Sequence, residues 1–199
     1  MNAIFLSASI PTPGREFYGT ADPLQIQLAI RALLALALGR RHIVFGGHPS
    51  ITPMIAAACD GLGLQFLDSV TLYQSRFYAK DFPEHNQRFG NKVLVEAGTD
   101  AKSSLESLRR TMFAAHNFEG AVFVGGMKGV LDEYELFHKM HPSAAIVPVA
   151  QTGAAAAALS KSLASTVLPH SAPANFTQLY IDALRVSPVE IRLGTHGSN

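Results

Sequence analysis

A glycine-rich turn between a predicted strand and a predicted helix carries the residue types that best suit chemistry. The apolar run 121–124 predicts a buried strand, and Gly125, Gly126 and Gly129 follow it directly. Glycine has no Cβ and lets another group approach the backbone closely, while the free N–H groups at the start of a helix attract anions. The turn therefore predicts a phosphate site, although a tight connection between strand and helix explains the glycines equally well.

Acidic side chains follow these glycines on the predicted helix. Asp132, Glu133 and Glu135 lie in its first turns, and Leu131 and Tyr134 supply an apolar face at helical spacing. A fixed carboxylate can stabilise a cationic, oxocarbenium-like sugar and can activate water, which is the chemistry of N-glycosidic bond cleavage. The alternative interpretation is an acidic helix face that is simply solvated.

Other predicted strands also end in small or polar residues. The predicted strand 3–8 ends in the small residues Ser-Ala-Ser at 7–9, and the strand 42–45 runs into a double glycine. The strand 144–149 runs into a short turn before an alanine-rich helix, 154 to about 164. Hydroxyl groups and free backbone amides at such turns suit a phosphate. The candidate ligand-binding residues at these three strand ends are Ser7, Gly46, Gly47, His48, Ser50, Thr152 and Gly153.

Strands alternate with helices along the whole chain, which predicts an α/β fold: a Rossmann-like doubly wound parallel sheet with helices on both faces. Ligands bind such sheets beyond the carboxyl ends of the strands, where the strand order reverses. The turns described above would gather at that edge. The remaining predicted elements are strands 65–73 and 92–95, and helices 24–38, 100–117, within 173–184, and one that begins at Thr52-Pro53.

The segment 74–88 is rich in polar and aromatic residues and has little periodicity. This composition fits a long loop over a site, where Tyr78 and Phe82 would cover a base. A surface loop that packs on its own aromatic residues fits the same composition.

The composition favours one domain with a large core. The chain has 199 residues, of which 48% are hydrophobic and 16% charged, and its net charge of +1 gives no strong nucleic-acid signal. The apolar run 28–38 is too short for a membrane span, and no secretory leader is recognisable, so we expect a cytoplasmic protein. We expect one domain over 1–186 and a tail over 187–199 that is disordered or links to a lost partner domain.

The histidines and the cysteine predict no metal centre. One cysteine, Cys59, allows neither an internal disulfide nor a cysteine zinc cluster, and it fits a small buried core position. His42, His48, His138 and His141 form no convincing ligand set. We expect no metal and no cofactor.

Two stretches resemble a known superfamily. Gly-Gly-Met-Lys-Gly-Val-Leu-Asp-Glu at 125–133 resembles the Gly-Gly-x-Gly-Thr-x-x-Glu signature of LOG-type phosphoribohydrolases, which release free cytokinin bases. Val-Phe-Gly-Gly-His-Pro-Ser-Ile-Thr-Pro at 44–53, with Gln-Thr-Gly-Ala at 151–154, resembles the bacterial SLOG branch found near TIR and other defence domains. SLOG joins LOG enzymes to DprA-type proteins and to sensing domains of TRPM channels and Thoeris-type antiphage systems. The similarity covers residues 4 to about 184.

The resemblance carries over unevenly to individual residues. Glu133 matches the signature glutamate if one extra residue is allowed inside the glycine turn. Arg109 matches by spacing an arginine on the preceding helix and would neutralise phosphate charge, and Arg110 close behind it is a further candidate ligand-binding residue. Val124 and Val130 stand where the family has proline and threonine, and the missing hydroxyl removes a phosphate contact.

Two functions follow as expectations. The resemblance implies a module that binds a nucleotide or an NAD-derived signal of the ADP-ribose or cyclic ADP-ribose type, in bacterial signalling or antiphage defence. The alternative is a LOG-like N-glycosidase that releases a base from a nucleoside monophosphate or a related N-riboside, with Glu133 and Arg109 as catalytic residues. The resemblance also implies a homodimer, and an effector domain such as TIR in the parent protein or operon.

Overall fold

A parallel sheet of six strands lies at the centre of the computed structural model, which describes residues 2–62, 68–163 and 175–193. The strands are β1 (Ala3–Ser9), β2 (His42–Phe45), β3 (Val70–Ser75), β4 (Asn91–Val95), β5 (Phe118–Gly125) and β6 (Ala145–Val149). Their order in the sheet is β4-β3-β2-β1-β5-β6. The chain therefore builds outwards from β1 to β4 and then returns to the other side of β1. The order reverses between β1 and β5.

Helices cover both faces of this sheet, which confirms the predicted doubly wound α/β fold. The helices are α1 (Pro23–Ala37), α2 (Thr52–Leu62), α3 (Ala101–Ala114), α4 (Lys128–Met140), α5 (Ala154–Leu163) and α6 (Phe176–Leu184). One apolar cluster packs α1, α2 and α6 on one face of the sheet, and a second cluster packs α3, α4 and α5 on the other. Among the described residues, no helix is both long and apolar enough to cross a membrane.

Helix α1 shows how local sequence sets the boundaries. The Asp22 side chain accepts a hydrogen bond from the Gln25 N–H, and Pro23 occupies the first helical position. Gly39 follows the helix with φ +77°, a backbone conformation that glycine tolerates. Both ends agree with the sequence-based prediction.

Two predicted boundaries were wrong. Strand β5 begins at Phe118 rather than Ala121, because Phe118 pairs with Ala3 and is buried in the core. Helix α3 correspondingly ends at Ala114 rather than near Asn117. Strand β3 extends to Ser75, beyond the predicted end at residue 73. Three parts of the predicted elements lie outside the described residues: 65–67 of this strand, 164 of the alanine-rich helix, and 173–174 before the last helix.

The segment after β3 consists of two short 3-10 helices, Arg76–Asp81 and Glu84–Arg88. Asn86 in the second of them is buried and donates a hydrogen bond to the Gln74 side chain at 2.8 Å. The segment is therefore anchored on the end of β3.

Residues 187–193, in the region expected to form a tail, lie against the end of α1. Arg40 donates hydrogen bonds to the Pro188 and Glu190 carbonyls, and the Leu193 N–H donates to the Gly39 carbonyl. Arg192 donates to carbonyls in the last turn of α1. The two bonds from Arg192 satisfy carbonyls at the C-terminal end of α1, and the other bonds fix residues 187–193 beside it.

Candidate functional site

A cavity of about 440 Å³ opens beyond the carboxyl ends of β1, β2 and β3, between α3 and α4. It lies beside the point where strand order reverses, as expected for this class of sheet. Leu6 pairs with Phe45 in the sheet, so the residues that follow them reach the same edge. The predicted site residues that line the cavity are Ser7, Gly46, Gly47, His48, Arg109, Gly129 and Glu133.

Glu133 is held from two sides by hydrogen bonds. The Ser7 hydroxyl donates to Oε2 at 2.5 Å, and Arg109 Nε donates to Oε1 at 3.3 Å. The Glu133 side chain is 20% exposed, so water reaches only part of it. Because the three side chains come from β1, α3 and α4, the fold itself fixes the orientation of this carboxylate.

Arg109 makes its contacts to protein groups on α4. Besides Glu133, its Nη2 donates to the Gly129 carbonyl at 3.1 Å, and its Nη1 lies 3.7 Å from Asp132 Oδ2. A Cβ on Gly129 would lie only 3.2 Å from Nη2, so glycine permits this approach. The contacts of Arg109 suit the orientation of Glu133 better than the binding of a phosphate.

The amino end of α4 faces the cavity through Met127 and Gly129. Met127 is the N-cap residue and makes no side-chain hydrogen bond to the first N–H groups. The Val130 N–H donates to the Met127 carbonyl at 2.9 Å, which leaves the Lys128 and Gly129 N–H groups and the positive end of the helix dipole available to an anion. This feature agrees with the anion site predicted from the glycine turn.

His48 lines the cavity, and its hydrogen bonds define which ring nitrogen carries the proton. Its Nδ1 accepts from the Ser50 N–H at 3.3 Å and lies 2.8 Å from the Ser50 hydroxyl, which fixes the proton of the neutral ring on Nε2. Burial lowers the pKa of His48, which favours that neutral form. Ser50 does not line the cavity; its hydroxyl accepts from the Ile10 N–H at 3.0 Å and positions His48 instead.

Gly125 and Gly126 require a correction, because their amides have partners inside the protein. The Gly125 N–H donates to Thr152 Oγ1 at 2.8 Å, and the Gly126 N–H donates to the Ser9 carbonyl at 2.8 Å. Both glycines are buried and neither lines the cavity. Their positive φ angles, +57° and +85°, explain why glycine is needed in this turn. These two amides therefore do not face a phosphate.

Thr152 and Gly153 also lie away from the cavity. Thr152 is buried, and its hydroxyl donates to the Val149 carbonyl at 2.6 Å while accepting from Gly125. A Cβ on Gly153 would lie 1.8 Å from the Thr20 carbonyl oxygen, so this glycine allows the segment before α1 to pass close by. The turn before α5 therefore contacts the glycine turn before α4 and the segment before α1, and it does not contact a ligand in the cavity.

Arg110 points away from the cavity, on the outer face of α3. It is exposed and pairs with Glu106 one turn earlier, with Nη2 to Oε1 at 2.9 Å. An exposed pair of this kind contributes little to stability. Its neighbour Arg109 faces the cavity because successive residues on a helix point about 100° apart.

Five polar or charged cavity residues were missing from the predicted site: Ser9, Arg15, Gln74, Ser75 and Asp81. Arg15 lies in the loop after β1, and no ion pair joins its side chain to a described residue. Gln74 lies near the end of β3 and is 6% exposed. The signal for Gln74 was present in the sequence, since a polar residue stands at the carboxyl end of a strand that neighbours β2.

Aromatic and apolar side chains form the wall on the β3 side. Tyr78, Phe82 and Pro83 come from the segment after β3, and Leu105 and Leu108 come from α3. The predicted position of Tyr78 and Phe82 over the site agrees with this arrangement. A cavity with an apolar wall and a few polar groups is typical of small-molecule sites.

Four other histidines of the described chain, His42, His116, His138 and His141, lie outside the cavity. His42 and His116 stack with their ring centroids 5.6 Å apart at the opposite edge of the sheet, while His138 and His141 lie at the end of α4. Within residues 2–62, 68–163 and 175–193, no group of three His, Cys, Asp or Glu side chains could hold a metal ion.

The fold and the cavity define a Rossmann-like α/β domain with a polar site at its switch point. The chain belongs to the SLOG cluster3 family, whose model matches residues 16–184, and this confirms the resemblance to the SLOG superfamily. Among solved structures, the chain is similar to the X-ray structure of TM1055, a structural genomics target, at 15% identity and a TM-score of 0.50. The match covers 81% of each chain and shows the shared fold alone. No curated protein sequence matches the chain significantly.

Proposed function

We propose that the cavity binds a nucleotide or an NAD-derived signal of the ADP-ribose or cyclic ADP-ribose type. The observation that carries this proposal is the carboxylate of Glu133, which Ser7 and Arg109 hold beside the amino end of α4. The membership of the SLOG family supports a nucleotide-related ligand. The cavity volume of about 440 Å³ lies in the range usual for small-molecule sites.

The parts of the cavity suit the parts of a nucleotide. The phosphate would bind at the amino end of α4, which supplies N–H donors, and next to Arg15, which supplies positive charge. Ribose hydroxyl groups suit the Glu133 carboxylate, which accepts hydrogen bonds. A base suits the apolar wall of Tyr78 and Phe82, where stacking stabilises it.

Isothermal titration calorimetry tests this proposal. ATP, NAD, ADP-ribose, cyclic ADP-ribose isomers and nucleoside monophosphates are titrated into the protein, with the unphosphorylated nucleosides as matched controls. We expect at least one phosphorylated compound to bind, and its nucleoside to bind at least about tenfold more weakly because the phosphate contacts are lost. Absence of binding by the whole panel would overturn the proposal.

A second function is favoured by the way Glu133 is held. In N-glycosidase chemistry, the bond between C1′ and the base nitrogen breaks, water adds its oxygen to C1′, and the base leaves with a proton. A carboxylate fixed next to C1′ stabilises the cationic sugar and takes the proton from water. Both Glu133 oxygens keep unused lone pairs after accepting from Ser7 and Arg109, so the carboxylate can still act in this way.

Chromatography separates this second function from binding alone. Each compound that binds is incubated with the protein and recovered. Free base in the recovered material supports the glycosidase, while an intact compound supports a sensor. The homodimer, the antiphage context and the TIR-type effector partner stay predictions from the family resemblance, and light scattering would measure the first of them.

A further inference from the structure

Gln74 places a buried carboxamide in the cavity wall. It is 6% exposed, and its Oε1 accepts a hydrogen bond from Asn86 Nδ2 at 2.8 Å. Its Nε2 makes no hydrogen bond to any described residue and lies next to Gly47, another lining residue. A Cβ on Gly47 would lie 3.2 Å from this nitrogen, so glycine leaves the amide group accessible.

Asn86 determines which end of the Gln74 amide faces the cavity. Its Oδ1 is buried and has no hydrogen-bond partner in the described part of the chain. If both amides rotated by 180°, Gln74 Oε1 would face the cavity, and Asn86 would bury an unpaired NH₂ group instead of an unpaired oxygen. Buried N–H groups without partners are rarer than carbonyl oxygens without partners. The orientation that offers Gln74 N–H donors to the cavity is therefore favoured.

Gln74 lies at the end of the cavity that suits a base. Strand β3 is separated from β1 by β2, so Gln74 lies roughly 10 Å across the sheet from Ser7, which holds Glu133. The segment that follows β3 supplies Tyr78 and Phe82 to the same wall. An aromatic wall beside a fixed pair of donors suits the edge of a heteroaromatic ring.

We propose that Gln74, positioned by Asn86, selects ligands whose base carries a hydrogen-bond acceptor, either a ring nitrogen or a carbonyl oxygen, on the edge that faces β3. This inference rests on the proposed nucleotide binding and names the class of base. A base without such an acceptor leaves the buried Gln74 N–H groups without partners, and desolvated donors of this kind give strong discrimination.

The test compares three probes on the wild type and on Gln74→Met. The probes are adenosine 5′-monophosphate, 1-phenylribose 5-phosphate, whose ring has no acceptor, and ribose 5-phosphate. We expect the wild type to prefer the adenine compound over the phenyl compound by about tenfold or more. In Gln74→Met we expect the ratio of the affinities for the adenine and phenyl compounds to fall towards one, while the affinity for ribose 5-phosphate stays the same.

Asn86→Asp is the second variant, and it removes the donor that orients Gln74 without changing the size of the side chain. We expect it to reduce the same preference in part, with unchanged affinity for ribose 5-phosphate.

The wild-type comparison of the adenine and phenyl compounds tests the inference even if both variants fail to fold. An unchanged preference in folded Gln74→Met, or no preference in the wild type, overturns the inference and leaves the proposed function in place. A wild type that binds none of the three probes, nor any member of the calorimetric panel, overturns the proposed function itself.

Discussion

At the scale of single residues, Arg109 orients the Glu133 carboxylate and is not free to neutralise a ligand phosphate. The Arg109 side chain is 11% exposed and all its nitrogens face groups on α4. A ligand phosphate would have to compete with these contacts. The available cation in the described cavity wall is Arg15, which is exposed and comes from the loop after β1.

We expect Glu133→Gln to weaken nucleotide binding by about tenfold, because the ribose hydroxyls lose a charged acceptor, and to lower any base release by at least about a hundredfold, because the amide loses the charge that stabilises the cationic sugar. Calorimetry measures the first effect and chromatography the second. Glu135→Gln, on the exposed side of the same helix, is the matched control and should change neither. Base release that survives Glu133→Gln would remove Glu133 from the catalytic role.

We expect Arg15→Gln to weaken the binding of phosphorylated ligands by about tenfold while leaving nucleoside binding unchanged, since only the contact with phosphate is lost. The loss should shrink at high salt, where an exposed charge is screened. Arg110→Gln is the control, because Arg110 is exposed outside the cavity. Equal affinity of Arg15→Gln and wild type for a phosphorylated ligand would argue against this role.

At the scale of elements, the turn before α5 holds the turn before α4. The Thr152 hydroxyl bridges the Val149 carbonyl and the Gly125 N–H, and the Asp22 N–H donates to the Thr152 carbonyl at 3.2 Å. The starts of α1, α4 and α5 are joined through this one residue. Its role is therefore to place the amino end of α4 at the cavity.

We expect Thr152→Val to lower the free energy of unfolding by about 2–4 kcal/mol, because the Gly125 N–H and the Val149 carbonyl lose a buried partner. Urea denaturation measures this change. Thr111→Val, at an exposed position on α3, is the control, and its free energy of unfolding should stay within about 0.5 kcal/mol of that of the wild type. Stability equal to the wild type, together with weaker ligand binding, would instead place Thr152 in the ligand site.

The sequence predicted the elements and the edge where the site lies, but not which side of each turn a residue faces. Asp22, Pro23 and Gly39 set α1 by local rules, so that helix could be predicted within a residue. Gly125 and Gly126 look like anion ligands in sequence, yet the register of β1 against β5 gives the Gly126 amide the Ser9 carbonyl. Such long-range partners, like the hydrogen bond from Asn86 to Gln74, depend on tertiary packing that local patterns do not encode.

At the scale of the whole molecule, a cluster of histidines at the edge opposite the cavity links stability to pH. His42 Nε2 lies 2.6 Å from Thr71 Oγ1, and the Tyr73 hydroxyl lies 2.9 Å from His116 Nε2. Burial lowers the pKa of His42, to which the charge of His116 adds, and burial also lowers the pKa of His116. Both rings therefore favour the neutral form in the folded chain.

We expect the free energy of unfolding to fall as the pH drops below about 6.5, because the unfolded chain takes up protons at the ordinary histidine pKa while the folded chain resists them. The contribution is fully present above that pH and is lost towards the lower pKa of the folded state. We expect a loss on the order of 1 kcal/mol, since the rings are only partly buried. Urea denaturation at pH 7.5 and 5.5 measures it.

The variant His116→Gln should reduce this pH dependence, since glutamine keeps a hydrogen-bonding group near Tyr73 but does not titrate. His85→Gln, at an exposed position, is the control. A pH dependence that is the same in His116→Gln and in the wild type would place its source elsewhere.

The central claim is that the cavity binds a nucleotide, and a thermal-shift measurement across the nucleotide panel tests it most directly. A ligand at a hundred times its Kd stabilises the folded state by about 2.7 kcal/mol, which raises the Tm of a domain of this size by roughly 5–10 °C. We predict such a rise for at least one phosphorylated compound in the wild type, and a smaller rise in Arg15→Gln. An unchanged Tm with every compound at millimolar concentration would contradict the account.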